Sequence, residues 1–85
     1  MRIYLHKNFE KRYKNLKSSE KKKFKEIRDI FVIDEYNPIL NNHPLRGSYQ
    51  GYRSINITGD LRLIYKKQGG VIIFVTIDSH SNLYK

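Results

Sequence analysis

The sequence predicts a small α+β fold of order β-α-α-β-β-β, with two N-terminal helices packed on one face of a small antiparallel sheet. Three observations carry this expectation. Phe and Ile recur at helical spacing through the N-terminal third, and three apolar runs separated by turn signals fill the C-terminal third. At 85 residues and 39% hydrophobic, the chain is sized for one thin core, so residues 1–85 are expected to form a single domain.

Met1 to Leu5 alternates as a short strand. Asn8 then offers a cap for a helix bearing Phe9, Tyr13 and Leu16 on one face and Lys11, Arg12 and Lys14 on the other. Ser18 or Ser19 caps a second helix with an apolar stripe of Phe24, Ile27 and Phe31; Lys21, Lys22, Lys23 and Lys25 fill its remaining surface. Asn37-Pro38 stops that helix near Tyr36, because the residue before a proline is pushed out of the helical region. From Asn37 to Gly51 the periodicity disappears, and the segment reads as a loop anchored by Leu40 and Leu45. Strands are expected at about Tyr52–Ile57, Leu61–Lys67 and Val71–Ile77, with turns at Thr58-Gly59 and Gln68-Gly69-Gly70.

The first hairpin can be registered from its pattern, since residues opposite one another share a side of the sheet. A two-residue turn at Thr58-Gly59 sets Ile55 against Arg62 and mixes core with charge. A three-residue turn of Thr58, Gly59 and Asp60 sets Ile57 opposite Leu61 and Ile55 opposite Leu63, which gives one apolar face. Ser54, Asn56 and Arg62 then lie on a polar outer face with Asp60 at its rim, the candidate site.

Lys and Arg number 17 against 8 Asp and Glu, a net charge of +9, and residues 1–28 hold 11 of the basic side chains. A basic handle of this density suits nucleic acid, the ribosome or an acidic protein, although a solvated lysine face also serves solubility. No apolar run approaches a membrane span and no secretory signal opens the chain, so a cytoplasmic protein is expected, with no membrane partner. The chain has no cysteine, which excludes disulfides, thiolate metal sites and cysteine nucleophiles.

Gly-rich phosphate loops, HExxH and GxSxG motifs are all missing, which leaves acid/base chemistry by His, Asp, Arg, Lys and Tyr. His6, His43 and His80 are too dispersed for a local metal motif, and no metal or cofactor is expected. His80, after the last strand, is either a proton-transfer group or a turn histidine bonded to backbone. His43 precedes Pro44 in an extended stretch. Arg62, alone in an apolar strand, is either a phosphate ligand or an edge charge that discourages aggregation. Asp60 is a base, a partner of Arg62, or simple turn chemistry. The near-terminal Tyr84 offers a ring for stacking on a base.

Three ordered blocks of residues carry a resemblance: His43-Pro44-Leu45-Arg46-Gly47, then Gly51 to Lys66 with Gly59-Asp60-Leu61-Arg62-Leu63 inside it, and finally Ser79-His80-Ser81-Asn82-Leu83-Tyr84. Together they resemble the RelE/ParE toxin superfamily, closest to its YafQ and YoeB branches, and the preceding strand and two basic helices match that family's order of elements. The resemblance implies a RelE-like, microbial-ribonuclease-type fold with a concave basic face. It further implies a toxin of a type II toxin–antitoxin system that cuts mRNA on the ribosome without a metal and is silenced by an acidic antitoxin. By the same resemblance His80 is the general acid, His43 the general base, Asp60 its assistant, and Arg62 the group that stabilises phosphate charge. Tyr84, Arg46, Arg53, Asn56, Lys11, Lys14, Lys21, Lys22, Lys23 and Lys25 are expected to contact RNA or the ribosome. The free protein is expected to be a monomer or dimer.

The chain departs from the YafQ pattern in three places. Asn56 stands for a histidine, Leu61 for a tryptophan and Thr76 for an arginine, so the site resembles a mixture of two branches with Arg62 replacing the last-strand arginine. Two alternatives accompany this reading: a non-enzymatic ParE-like toxin acting on DNA gyrase, and a catalytically degenerate RNA- or ribosome-binding module.

Overall fold

The computed structural model describes residues 1–83. Its elements are β1 (Arg2–Leu5), α1 (Lys7–Lys14), α2 (Ser18–Ile33), β2 (His43–Pro44), β3 (Arg53–Asn56), β4 (Leu61–Gln68), β5 (Val71–Ser79) and α3 (His80–Leu83). Two 3-10 turns, Pro38–Leu40 and Gly47–Tyr49, flank β2. The expected strands and helices all form, and the segment read as a loop contains a two-residue strand of its own.

Both helices are capped one residue or more before the expected positions. His6, not Asn8, caps α1: its Nδ1 accepts from the Asn8 N–H at 3.0 Å. Helix α2 starts from Lys17, whose N–H donates to Glu20 Oε1 at 2.9 Å, half of a capping box. It ends at Ile33, short of Tyr36. There the Asp34 carboxylate accepts from the Tyr36 N–H, a local bond that competes with further helix.

The five strands form one sheet in the order β1-β5-β4-β3-β2. Its three pairings from β2 to β5 are antiparallel, but β1 runs parallel to β5, a correction to the all-antiparallel expectation. The reason lies in the next element. His6 N–H donates to the Phe74 carbonyl, and α1 turns immediately to set Phe9 against Phe74, which requires the chain to leave β1 at the end where β5 continues. The hairpin register is the predicted one, with Ile55 opposite Leu63 and Asn56 opposite Arg62. Thr58 Oγ1 closes the turn by accepting from the Asp60 and Leu61 N–H groups.

One irregularity keeps the faces in phase. Tyr65 pairs with Phe74 and Ile64 with Thr76, so Val75 is an extra residue in β5. This bulge lets Ile72, Phe74 and Ile77 all point inward despite their odd spacing. It also places Thr76 and Asp78 on the outer face. The core gathers Phe9, Phe24, Ile27 and Phe31 from the helices against Ile55, Leu63, Tyr65, Phe74 and Ile77 of the sheet. Phe31 packs edge-on to Tyr65 with centroids 5.0 Å apart. Among the described residues no helix is long and apolar enough to cross a membrane.

Candidate active site

The sheet face that α1 and α2 leave uncovered carries two polar rows. Asn56, Arg62 and Asp78 lie side by side across β3, β4 and β5, and His43, Ser54, Ile64 and Thr76 form the next row. Strand pairing therefore brings His43, Asn56 and Arg62 onto one face, although His43 is far from the other two in sequence.

Each candidate side chain is held by local bonds. Arg62 donates from Nη1 to the Thr58 carbonyl at 3.0 Å and the Leu61 carbonyl at 3.3 Å, which lays its guanidinium over the hairpin turn. His80 opens α3, and its N–H donates to the Asp60 backbone carbonyl at 2.8 Å and to Asp60 Oδ1 at 3.3 Å. Asp60 thus fastens the start of α3 to the hairpin and sets His80 at the rim of the sheet, two residues past Asp78, the strand partner of Arg62. On the other flank His43 Nδ1 lies 2.7 Å from the Asn41 carbonyl. A carbonyl only accepts, so Nδ1 carries a proton, and of the two neutral tautomers this contact selects the one that leaves Nε2 as the acceptor.

His43 and His80 stand on opposite flanks: His80 is three strand-to-strand steps across the sheet, roughly 14 Å, and four residues along the chain from Thr76, the β5 member of the His43 row, about 13 Å further. The face is not evenly solvated. Ser54 is fully buried, against the expectation of an open polar face, and Ser54 Oγ and Asn56 Oδ1 find no hydrogen-bond partner among the described residues.

β1 pairs only with Val71–Phe74, and beyond it α1 flanks β5. There a cleft of about 280 Å³ opens between α1, β5, Tyr49 and α3, with Lys11, Arg12, Thr76, Asp78 and Asn82 in its wall. Arg12 Nη1 meets Asp78 Oδ2 at 3.5 Å, and Asp78 Oδ1 accepts from the Ser79 N–H at 2.8 Å and Asn82 Nδ2 at 3.2 Å. Asp78 and Asn82 are not among the candidate site residues of the sequence, and Arg12 enters there only as part of the basic face of α1. The available signal was parity, since Asp78 alternates with the inward Ile77 directly opposite Arg62.

Several expected contacts lie elsewhere. Arg53 shares the inward parity of Ile55 and sits on the helix side of the sheet, with Nε donating to Asn42 Oδ1 and its guanidinium over the Tyr36 ring; it is not on the outer face. Lys22, Lys23 and Lys25 are exposed on the side of α2 turned away from the sheet, and Lys21 lies over the Tyr13 ring. Lys14 is exposed at the end of α1, and Arg46 precedes the Gly47–Tyr49 turn in the open. Tyr84 lies outside the described residues.

The family model described as "Bacterial toxin of type II toxin-antitoxin system, YafQ" matches residues 1–85. The chain belongs to the YafQ toxin family. No curated protein sequence is significantly similar to it. Solved structures of YafQ-type and related toxins share its fold. YafQ from E. coli strain BL21(DE3) is 23% identical over all of both chains, with a TM-score of 0.84. The YafQ chain of the E. coli DinJ–YafQ toxin–antitoxin complex is 25% identical over 98% of this chain and 96% of that one, at 0.78. A YoeB/ParE toxin from Agrobacterium tumefaciens is 18% identical over 94% and 99%, at 0.76. This YafQ-family toxin of a type II system thus carries Asn56, Arg62, Thr76 and Asp78 on the sheet face away from α2, while α1 brings Arg12 to Asp78 at its edge.

Proposed function

We propose that this YafQ-family toxin is a ribosome-dependent mRNA endoribonuclease working by metal-independent acid/base catalysis. The observation that carries the reading is the uncovered sheet face that bears His43 and Arg62, with Asp60 and His80 joined at its rim, from three separate segments of the chain. His43 takes the proton of a ribose 2′-hydroxyl through Nε2, and the freed oxygen attacks the adjacent phosphorus. Arg62 stabilises the extra negative charge of the phosphorane. His80, steadied through Asp60, gives a proton to the departing 5′-oxygen. Asn56 and Arg46 contact the RNA, Tyr84 stacks on a base, and Lys11 with Arg12 draws the backbone into the cleft beside β5. Lys14 and the lysine face of α2 dock on ribosomal RNA. A 25% identical toxin is crystallised with the DinJ antitoxin, so an antitoxin is the partner expected here, and the net charge of +9 on this chain calls for an acidic one.

Primer-extension mapping on programmed ribosomes tests this, with purified protein, its His80→Ala variant and free mRNA in parallel. Cuts that need the ribosome and fall by about 10²–10⁴-fold in His80→Ala are expected. Full activity in the variant removes His80 from the chemistry. Loss of supercoiling activity by DNA gyrase, with no RNA cut, supports the ParE-like alternative instead.

A further inference from the structure

We infer that Asn42 is a positioning residue for His43, clamped from three sides so that the Asn41 carbonyl meets the imidazole and Nε2 is kept as its acceptor nitrogen. This rests on the proposed role of His43 as the base. The Asn42 side chain uses both its donors and its acceptor. Nδ2 donates to the Glu35 backbone carbonyl at 2.9 Å and to Tyr65 Oη at 2.7 Å, while Oδ1 accepts from Arg53 Nε at 2.8 Å.

The three partners belong to the chain just past α2, to β4 and to β3, so the clamp is referenced to the body of the fold and not to its own loop. Tyr65 is fully buried against Phe31 and its hydroxyl donates to Glu35 Oε2 at 2.7 Å; the other Glu35 oxygen accepts from Lys67 at 3.0 Å. Arg53 precedes Ser54, the strand partner of His43, so strand pairing and clamp hold the histidine from both sides.

Just before the clamp, Asn41 has φ 49°, a left-handed conformation that asparagine tolerates better than most residues. That bend precedes the peptide whose carbonyl takes the His43 Nδ1–H. Asn42, by fixing the chain between the bend and the ring, determines where that carbonyl stands. Only an amide fits: an aspartate at 42 supplies acceptors alone, against the Glu35 carbonyl and the Tyr65 oxygen.

The test is ¹⁵N NMR of the His43 ring near pH 8 in the wild type, Asn42→Ala, Asn42→Asp and Tyr65→Phe, with thermal melts and ribosomal cleavage on the same samples. The wild type is expected to show the Nδ1–H tautomer. Folded Asn42 variants should show mixed tautomers and cleave on the order of 10²-fold more slowly, the usual effect of a small misplacement of a reacting group. Tyr65→Phe, which removes one of the three contacts, should move the ring signal less and in the same direction. A clamp that merely braces the fold lowers the melting temperature and leaves the His43 signature at its wild-type value; that result overturns the inference. If the wild type cuts no RNA, the role of His43 as base falls, and the ring signature alone decides whether Asn42 positions it. If Asn42→Ala does not fold, an unchanged tautomer in Tyr65→Phe overturns the inference.

Discussion

Glu35 shows how one side chain ties stability to pH. Burial pushes its carboxyl upward, but hydrogen bonds from Tyr65 and Lys67 and the charge of Lys67 outweigh this, and the net shift is below the ordinary value near 4.5. The Lys67 ammonium is raised in turn by its bond to Glu35. The folded state thus binds fewer protons at Glu35 than the unfolded chain. Its contribution is complete above about pH 4.5 and is lost as the pH falls through the lowered value. Urea titrations between about pH 7 and 3 should show Glu35→Gln less stable than wild type at neutral pH and declining less steeply in acid. Parallel declines would show that Glu35 does not contribute to the acid limb. The Tyr65 phenol, raised by burial and by the neighbouring Glu35 carboxylate, stays a proton donor throughout this range.

At the scale of elements, the Val75 bulge decides which side of β5 faces solvent. Deleting Val75 leaves Phe74, Thr76 and Ile77 in strict alternation, so Phe74 and Ile77 remain inward. Deleting Ile73 instead puts the buried Ile72 out of phase with Phe74. Losing a buried isoleucine costs about 2–5 kcal/mol. The Ile73 deletion should therefore unfold at clearly lower urea than the Val75 deletion, by an amount equivalent to about 2 kcal/mol or more. Equal midpoints, or the reverse order, would mean that the bulge does not set the phase. The hairpin turn works by the same logic, because Thr58, Gly59 and Asp60 set the register that aligns Arg62 with Asn56 and Asp78.

Across the whole molecule, the lysine face of α2 and the candidate chemistry occupy different sides, while α1 brings Lys11 and Arg12 to the cleft beside Thr76 and Asp78. The lysines of α2 point away from the sheet, while His43, Arg62 and His80 are on the far side of it. A Lys21→Glu, Lys22→Glu, Lys23→Glu variant should therefore bind ribosomes more weakly, on the order of 10-fold to 10³-fold through slower association, with a shallower salt dependence. Its cleavage rate on saturated ribosomes should match wild type. Filter binding across a salt series together with single-turnover cleavage measures both, and unchanged affinity would detach this face from the ribosome.

Local physics made much of the fold legible. Helical spacing marked Phe9, Tyr13, Phe24, Ile27 and Phe31 as core, and turn chemistry with face parity registered the β3–β4 hairpin. Parity also contained the inward placement of Arg53, which lies two residues from Ile55. Sequence by itself determined the order of the elements and the hairpin register, because periodicity and turns act over a few residues, and its three ordered motif blocks picked out the histidines and arginine worth testing. Only the tertiary structure decided that β1 runs parallel to β5, that β2 pairs with β3 and brings His43 onto the outer face, and that Asn42 joins Glu35, Arg53 and Tyr65. Those choices depend on which distant surfaces pack together, and a local pattern carries neither the direction nor the partner of a segment packed from far along the chain.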